Sequence, residues 1–165
     1  MFLICLDPSL NSYGYAIFDI RNKPKLLNYG HINNNHFETK DEGKKLIHLE
    51  MFLSTLRQNY FPHKVVKEEW VNQAGLSGYK LALVHGITNK VFAFSEVEEL
   101  NNKSFKKDFT GNGSASKEDV ENEVKKYSKR IWHKNKELNF LTDDASDSVG
   151  IGIHWLVQND YLPKL

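Results

Sequence analysis

The sequence predicts an α/β protein: a mixed five-stranded sheet, its first three strands antiparallel, flanked by helices. Three observations carry this. Three β-rich runs follow one another at the start, separated only by turn residues. Two later strand-like runs each follow a segment whose apolar residues recur at helical spacing. The last third holds two more helical patterns and no strand. The resulting order, β-β-β-α-β-α-β-α-α, implies a mixed sheet with helices on its faces.

Each element has a local reason. Phe2–Leu6 is a short apolar run ended by Asp7-Pro8, as a central strand ends at a turn. Tyr13–Ile20 and Lys25–Ile32 flank the turn residues Arg21–Pro24, which predicts successive antiparallel strands. The Asn-rich stretch Asn33–His36 is a loop. In Asp41–Tyr60, the residues Leu46, Leu49, Leu53, Leu56 and Tyr60 fall three and four apart on one helical face, and Pro62 is the predicted stop. Lys64–Val71 is the predicted fourth strand, Asn72–Gly78 a glycine-containing loop, Tyr79–Phe94 an apolar helix and Glu96–Leu100 a fifth short strand.

Residues Lys107–Ser116 are polar and glycine-rich, a predicted turn region. Ser116 opens the next helix with Asp119 placed to close a capping interaction, and Val120, Val124, Tyr127 and Ile131 form its stripe. Trp132–Leu141 is a predicted loop. Thr142 is the expected N-cap of the last helix, with Asp143 and Asp144 favourable at its positive end. Ala145, Val149, Ile153 and Leu156 form the buried face. Gly150 and Gly152 each cost a helix about 1 kcal/mol relative to alanine, so they imply close packing onto a sheet.

Length and composition bound the function. A chain of 165 residues suits a single domain, residues 1–165, with a core that needs no staples. One cysteine, Cys5, excludes a disulfide framework and fits a buried strand residue in a reducing compartment. The N-terminal MFLICLDPS has no basic region and is too short for a signal peptide or a membrane span, so the expectation is a soluble, cytoplasmic protein without membrane partners. The net charge of +1 excludes a globally basic surface. Residues 103–137 nevertheless carry ten Lys and Arg against six Asp and Glu. A basic flank beside an acidic centre suits a metal-dependent nuclease, in which lysines hold phosphates and carboxylates hold metal. The helical part of that flank, Lys125–Arg130, fits a solvated face equally well.

The carboxylates point to chemistry by their placement. Asp7 ends the first strand, Glu68 lies in a strand able to pair beside it, and Asp144 and Asp147 share one side of the last helix. Four gathered anions repel one another and raise each other's pKa unless a divalent cation is present. An all-oxygen set favours Mg²⁺, with Mn²⁺ able to substitute, over zinc. Two such ions, roughly 3.5–4 Å apart, activate water and stabilise the leaving oxygen of a phosphodiester. In that scheme Asp7 bridges both ions, Glu68 binds one, and Asp144 with Asp147 binds the other. Asp144 and Asp147 lie in an otherwise apolar helix, and buried carboxylates without partners are expensive. The adjacent acids Glu69 and Asp143 remain open as members, because a strand covered on both faces gives no clean alternation.

Four motifs together resemble the RuvC family of Holliday junction resolvases along nearly the whole chain. They are Ile4-Cys5-Leu6-Asp7-Pro8 with Gly14-Tyr15; Val66-Lys67-Glu68-Glu69; the glycine turn Gly111-Asn112-Gly113-Ser114-Ala115-Ser116-Lys117; and Asp144-Ala145-Ser146-Asp147 running on to Ile153. The resemblance implies an RNase H-like fold, a homodimer, and paired nicks in four-way junctions, with flaps and forks as related substrates. It implies a catalytic and metal-binding tetrad of Asp7, Glu68, Asp144 and Asp147, which favours 68 and 144 over their neighbours.

It also implies DNA contacts from Lys106 and Lys117, with Lys107 as the alternative to Lys106, and from Gly111, Gly113 and Ser114. Lys117 is expected to stabilise charge on the phosphate. The position after the glutamate strand, where the family wedges an aromatic into the junction, is Val71 here, with Trp70 beside it. Trp70 fits base stacking or a buried or interface role. His154 is read as structural, and the helix Tyr79–Phe94 as the dimer interface. Ser9 stands where the family has glycine and Tyr13 where it has threonine. The near-neutral charge and this divergent turn point to a phage-encoded or similarly specialised member that debranches replicating DNA, working in the bacterial cytoplasm. Two other readings stand beside this one: a ribonuclease H-type enzyme, and a non-catalytic junction-binding dimer. An actin-like ATPase lacks the length for two lobes.

Overall fold

A computed structural model of the chain describes residues 1–71, 75–132 and 137–165. Residues 72–74 of the predicted loop 72–78, and residues 133–136 of the predicted loop 132–141, lie outside them. Strands β1 (Phe2–Asp7), β2 (Ser12–Asp19) and β3 (Lys25–Asn33) lead into helix α1 (Glu42–Tyr60). Then come β4 (Lys64–Glu68), α2 (Leu76–Val91), β5 (Glu96–Leu100), α3 (Asn102–Thr110), α4 (Lys117–Ile131) and α5 (Asp143–Gln158). The sheet order is β3-β2-β1-β4-β5. Strands β1–β3 pair antiparallel, while β4 runs parallel to β1 and β5 parallel to β4. The expected mixed five-stranded sheet is therefore present.

Side chains of a strand alternate between faces, and each face has its own core. Leu3, Cys5, Ala16, Phe18 and Val66 pack with α3, α4 and α5. Ile4, Leu6, Tyr13, Ile17 and Val65 pack with α1 and α2. Burying a large aliphatic or aromatic side chain contributes about 1.5–3 kcal/mol, so both faces are firmly covered. Cys5 is a free thiol buried in β1. Tyr13, at the family's threonine position, fills the α1–α2 core and pairs its hydroxyl with Thr88 at 2.8 Å.

Helix α1 ends at Tyr60 as expected, capped by Phe61 in a left-handed backbone (φ 42°) just before Pro62. Several other boundaries differ from the expectation. Strand β4 stops at Glu68, whose partner Leu100 is the last residue of β5. Helix α2 starts at Leu76, three residues early, and ends at Val91. A further helix, α3, occupies residues left unassigned or read as part of the polar turn. Asn101 caps it by accepting from the Ser104 amide, and Gly111 closes it at φ 83°. Its sequence signal was the i, i+4 pair Phe105 and Phe109, both buried. Helix α4 has the capping box anticipated at Ser116 and Asp119, and Thr142 caps α5.

The two α5 glycines pack closely, but not alike. A methyl group at Gly152 would meet the Phe18 ring at 2.2 Å, on the sheet as expected. At Gly150 the close neighbours are Phe105, Val120 and Phe109 of α3 and α4 rather than the sheet.

Candidate active site

The carboxylates come together where the strand ends meet α5. Asp7 follows Leu3 and Cys5 by period two, so it shares their face; Glu68 likewise shares the face of Val66. Both point toward α5, whose first turns carry Asp144 and Asp147. Glu69 leaves the sheet exposed, its carboxylate accepting from Asn101 Nδ2 at 3.0 Å. Asp143 is also exposed, whereas Asp144 is part-buried and accepts a close hydrogen bond from Ser12 Oγ. Gly14 permits the contact. It lies opposite Asp7 in the β1–β2 ladder, and a Cβ there would fall 2.0 Å from the carbonyl oxygen of Asp144. Any side chain at position 14 would lift the start of α5 off the sheet.

The electrostatics are those of crowded anions. Burial, then Glu68, Asp147 and Asp144, hold the Asp7 carboxyl well above its usual range. Asp147 is pushed up to about 6, first by burial. Lys117 and Lys106 oppose that rise, while Asp144 and Glu68 add to it. One oxygen of Asp147, Oδ1, is buried without a hydrogen-bond partner. A buried polar atom left unpaired costs about 1–3 kcal/mol, so this oxygen is a position where a ligand would be welcome. Burial pulls the Lys117 ammonium down, but Asp144, Asp147, Asp143 and Asp7 outweigh it and leave it above its ordinary value.

These residues suit a hard divalent ion: the donors are oxygens, their charges repel, and one oxygen is unanswered. Among the described residues, no three Asp, Glu, His or Cys side chains already close around one point as they would around an ion. Glu68 and Asp147 line a small cleft with Asn102, Phe105, Leu100 and Ile151.

The expected phosphate-binding residues divide. Lys117 Nζ lies 3.8 Å from Asp144 and 3.6 Å from Asp143, at the mouth of the cluster. Lys106 acts on Asp147 and donates to the carbonyl of Ala115 at 3.0 Å, tying α3 to the turn before α4. Lys107 is exposed and lines a different groove, with Tyr127, His154 and Lys164, so of the two it is Lys106 that neighbours the acids. Gly111 and Gly113 lie in the α3–α4 turn, which the Asn112 side chain braces by accepting from the Ser114 amide at 3.0 Å. Trp70 and Val71 are exposed just past β4, at the same end of the sheet as Asp7 and Glu68. His154 is buried edge-on against Phe105. On α4, Lys125 and Lys126 pair with Glu121 and Glu123, as a solvated helix face does.

Two site residues escaped the sequence. Ser12 holds Asp144 across 132 residues of chain. Asn102 Nδ2 donates to Glu68 Oε1 at 2.5 Å. The only linear hint was that Asn101-Asn102 follows directly on β5, the strand beside β4.

Comparison with known proteins fits this arrangement. The family model described as crossover junction endodeoxyribonuclease RuvC matches residues 3–154. A relative of that name from Helicobacter acinonychis is 32% identical, covering 93% of this chain and 94% of its own. Another, from Prochlorococcus marinus, is 29% identical, covering 93% and 94%. Among solved structures, Thermus thermophilus RuvC superposes with a TM-score of 0.72 at 16% identity, over 98% of each chain. The T. thermophilus RuvC complex with Holliday junction substrate gives 0.73 at 18% identity, over 93% of this chain and 92% of that one. The fowlpox virus Holliday junction resolvase gives 0.61 at 18%, over 96% and 99%. The fold is thus RNase H-like, as RuvC is, and the chain belongs to the RuvC family of crossover junction endodeoxyribonucleases.

Proposed function

We propose that this junction-resolving endonuclease cuts DNA at the carboxylate cluster, with Asp7, Glu68, Asp144 and Asp147 holding Mg²⁺, for which Mn²⁺ substitutes. The observation that carries the reading is the meeting of four acids at the strand ends, one with an unanswered buried oxygen. The family is one of metal-dependent nucleases. Bound there, divalent ions supply the positive charge that activates water and stabilises charge on the phosphate.

The chain's own residues do the rest. Asp7, on the rigid central strand, fixes the centre of the cluster. Lys117 holds its ammonium protonated among the acids and meets the scissile phosphate. Lys106, Gly111, Gly113 and Ser114 bind the backbone beside it through charge and amides, and Trp70 with Val71 meets unpaired bases near the crossing. Branched DNA, above all the four-way junction, is the substrate. A homodimer presents two sites to match its two-fold symmetry. Exposed Ile47 and Met51 on α1 with Leu76 and Tyr79 on α2 offer apolar surface for that pairing. We place the activity in the cytoplasm, in a protein of one domain; no helix among the described residues is long and apolar enough to cross a membrane.

The test is nicking of a synthetic four-way junction with Mg²⁺. Asp7→Asn and Glu68→Gln are expected to slow nicking about a thousand-fold, about 4 kcal/mol at the barrier, while gel-shift binding in EDTA stays within about two-fold. A variant that nicks at the parent rate removes its residue from the cluster's role. An RNA–DNA hybrid run alongside separates this from ribonuclease H activity.

A further inference from the structure

We propose that Asn102 is the positioning residue for Glu68, orienting its carboxylate toward the metal site, while Asn101 engages Glu69 outside it. This rests on the reading of Glu68 as a metal ligand. Glu68 is the last residue of β4, so beyond it the ladder offers only the Glu69 amide bonded to the Leu100 carbonyl at 2.9 Å. Alternation along β4 sends Glu68 toward α5, but a strand end held so lightly leaves the carboxylate itself to be oriented by its neighbours.

That orientation comes from the residues after β5. Leu100 lies opposite Glu68, so the next two residues arrive beside the two acids. Asn101 Nδ2 donates to Glu69 Oε2 at 3.0 Å while its Oδ1 caps α3. Asn102 Nδ2 donates to Glu68 Oε1 at 2.5 Å and lines the cleft shared with Asp147. Each asparagine engages one glutamate. Asn102 is also rigidly mounted: it is the first residue of α3, which Phe105 and Phe109 anchor in the core. An amide suits this task. It orients a carboxylate through a hydrogen bond yet adds no positive charge to compete with a cation. A lysine there would neutralise the ligand it holds. Hydrogen bonds behind metal ligands typically govern affinity or activity by about 10–100-fold.

The test measures Mn²⁺ binding to the full chain by the electron paramagnetic resonance of free Mn²⁺, together with the Mn²⁺ dependence of junction nicking. Asn102→Leu should weaken Mn²⁺ binding about ten-fold and shift the nicking midpoint equally. Junction affinity in EDTA should be unchanged. Asn102→Gln, which keeps an amide donor, should recover most of the loss. Asn101→Ser, which keeps the helix cap but not the donor to Glu69, should bind Mn²⁺ like the parent. Should Asn102→Leu fail to fold, Asn102→Ser carries the same comparison. Parental Mn²⁺ affinity in the Asn102 variants overturns the inference, as does an equal loss in Asn101→Ser or no recovery in Asn102→Gln. Glu68→Gln separates the two failures. If it too binds Mn²⁺ normally, the metal-ligand reading falls; if it alone is weak, only the role of Asn102 does.

Discussion

Two adjacent residues of β4 carry opposite charges to opposite faces of the sheet, and their surroundings differ in kind. Lys67 turns toward α2 and is fully buried, yet its ammonium is answered by Glu99 at 2.5 Å and by His85 Nδ1 at 2.9 Å. His85 is held neutral, pushed down to about 4 by burial and then by Lys67 itself. Glu68 turns the other way, into a group of acids whose nearest cations are lysines at the rim, Lys117 approaching Asp144 only to 3.8 Å. On the α1–α2 side buried charge is paired and serves architecture. On the α5 side it is gathered without a matching charge, and such an arrangement persists where function uses it. The difference shows that burial of charge alone does not mark a site; the missing partner does.

The largest expected effect tests the paired side. Lys67→Ala should cost about 3 kcal/mol in urea unfolding, by removing a buried side chain and leaving Glu99 and His85 without their ammonium. Mn²⁺ affinity of the folded protein should stay within about three-fold. A stable Lys67→Ala protein that no longer binds Mn²⁺ would break the division between the faces.

A smaller effect, on the order of 2 kcal/mol, tests the unpaired side through pH. Asp147 is raised from 3.8 to about 6 in the fold. The native state therefore keeps a proton that the unfolded chain has lost. In EDTA this group's stabilisation is complete below about pH 4 and disappears as pH climbs through about 6. Thermal melts from pH 4 to 8 should fall along that window, the slope should flatten in Asp147→Asn, and saturating Mg²⁺ should restore stability at the upper end. A flat EDTA profile for the parent would show that the acids do not strain the fold.

Finer distinctions concern the basic flank. Lys106→Ala should slow nicking about ten-fold, about 1.4 kcal/mol at the barrier, whereas Lys107→Ala should change it less than about two-fold at moderate salt. Reversed effects would reassign the phosphate contact. Smallest of all, Lys125→Ala should shift stability by about 0.5 kcal/mol or less, since Lys125 is exposed and its partner Glu121 lies one helical turn away on the same surface.

Local chemistry is what the linear chain determined. Short apolar or β-rich runs bounded by turn and helix signals specified the strands, because one face or both had to be buried. The Ser116–Asp119 box and Thr142 marked helix starts by offering oxygens to free amides. Asp7, Glu68, Asp144 and Asp147 stood out as acids at the ends of apolar elements, and the motif order pointed to the family. Where the motif match had ranked neighbours, the tertiary structure shows which of each pair lies beside the acid cluster: Glu68 rather than Glu69, Asp144 rather than the more exposed Asp143, and Lys106 rather than Lys107. It also supplied Ser12 and Asn102, whose partners are 132 and 34 residues away. The physical reason is directional. Adjacent side chains are alike in composition and charge but leave a strand or helix along different vectors. Which vector reaches the site depends on how α3 and α5 dock, and that follows from distant contacts such as Gly14 against the carbonyl of Asp144.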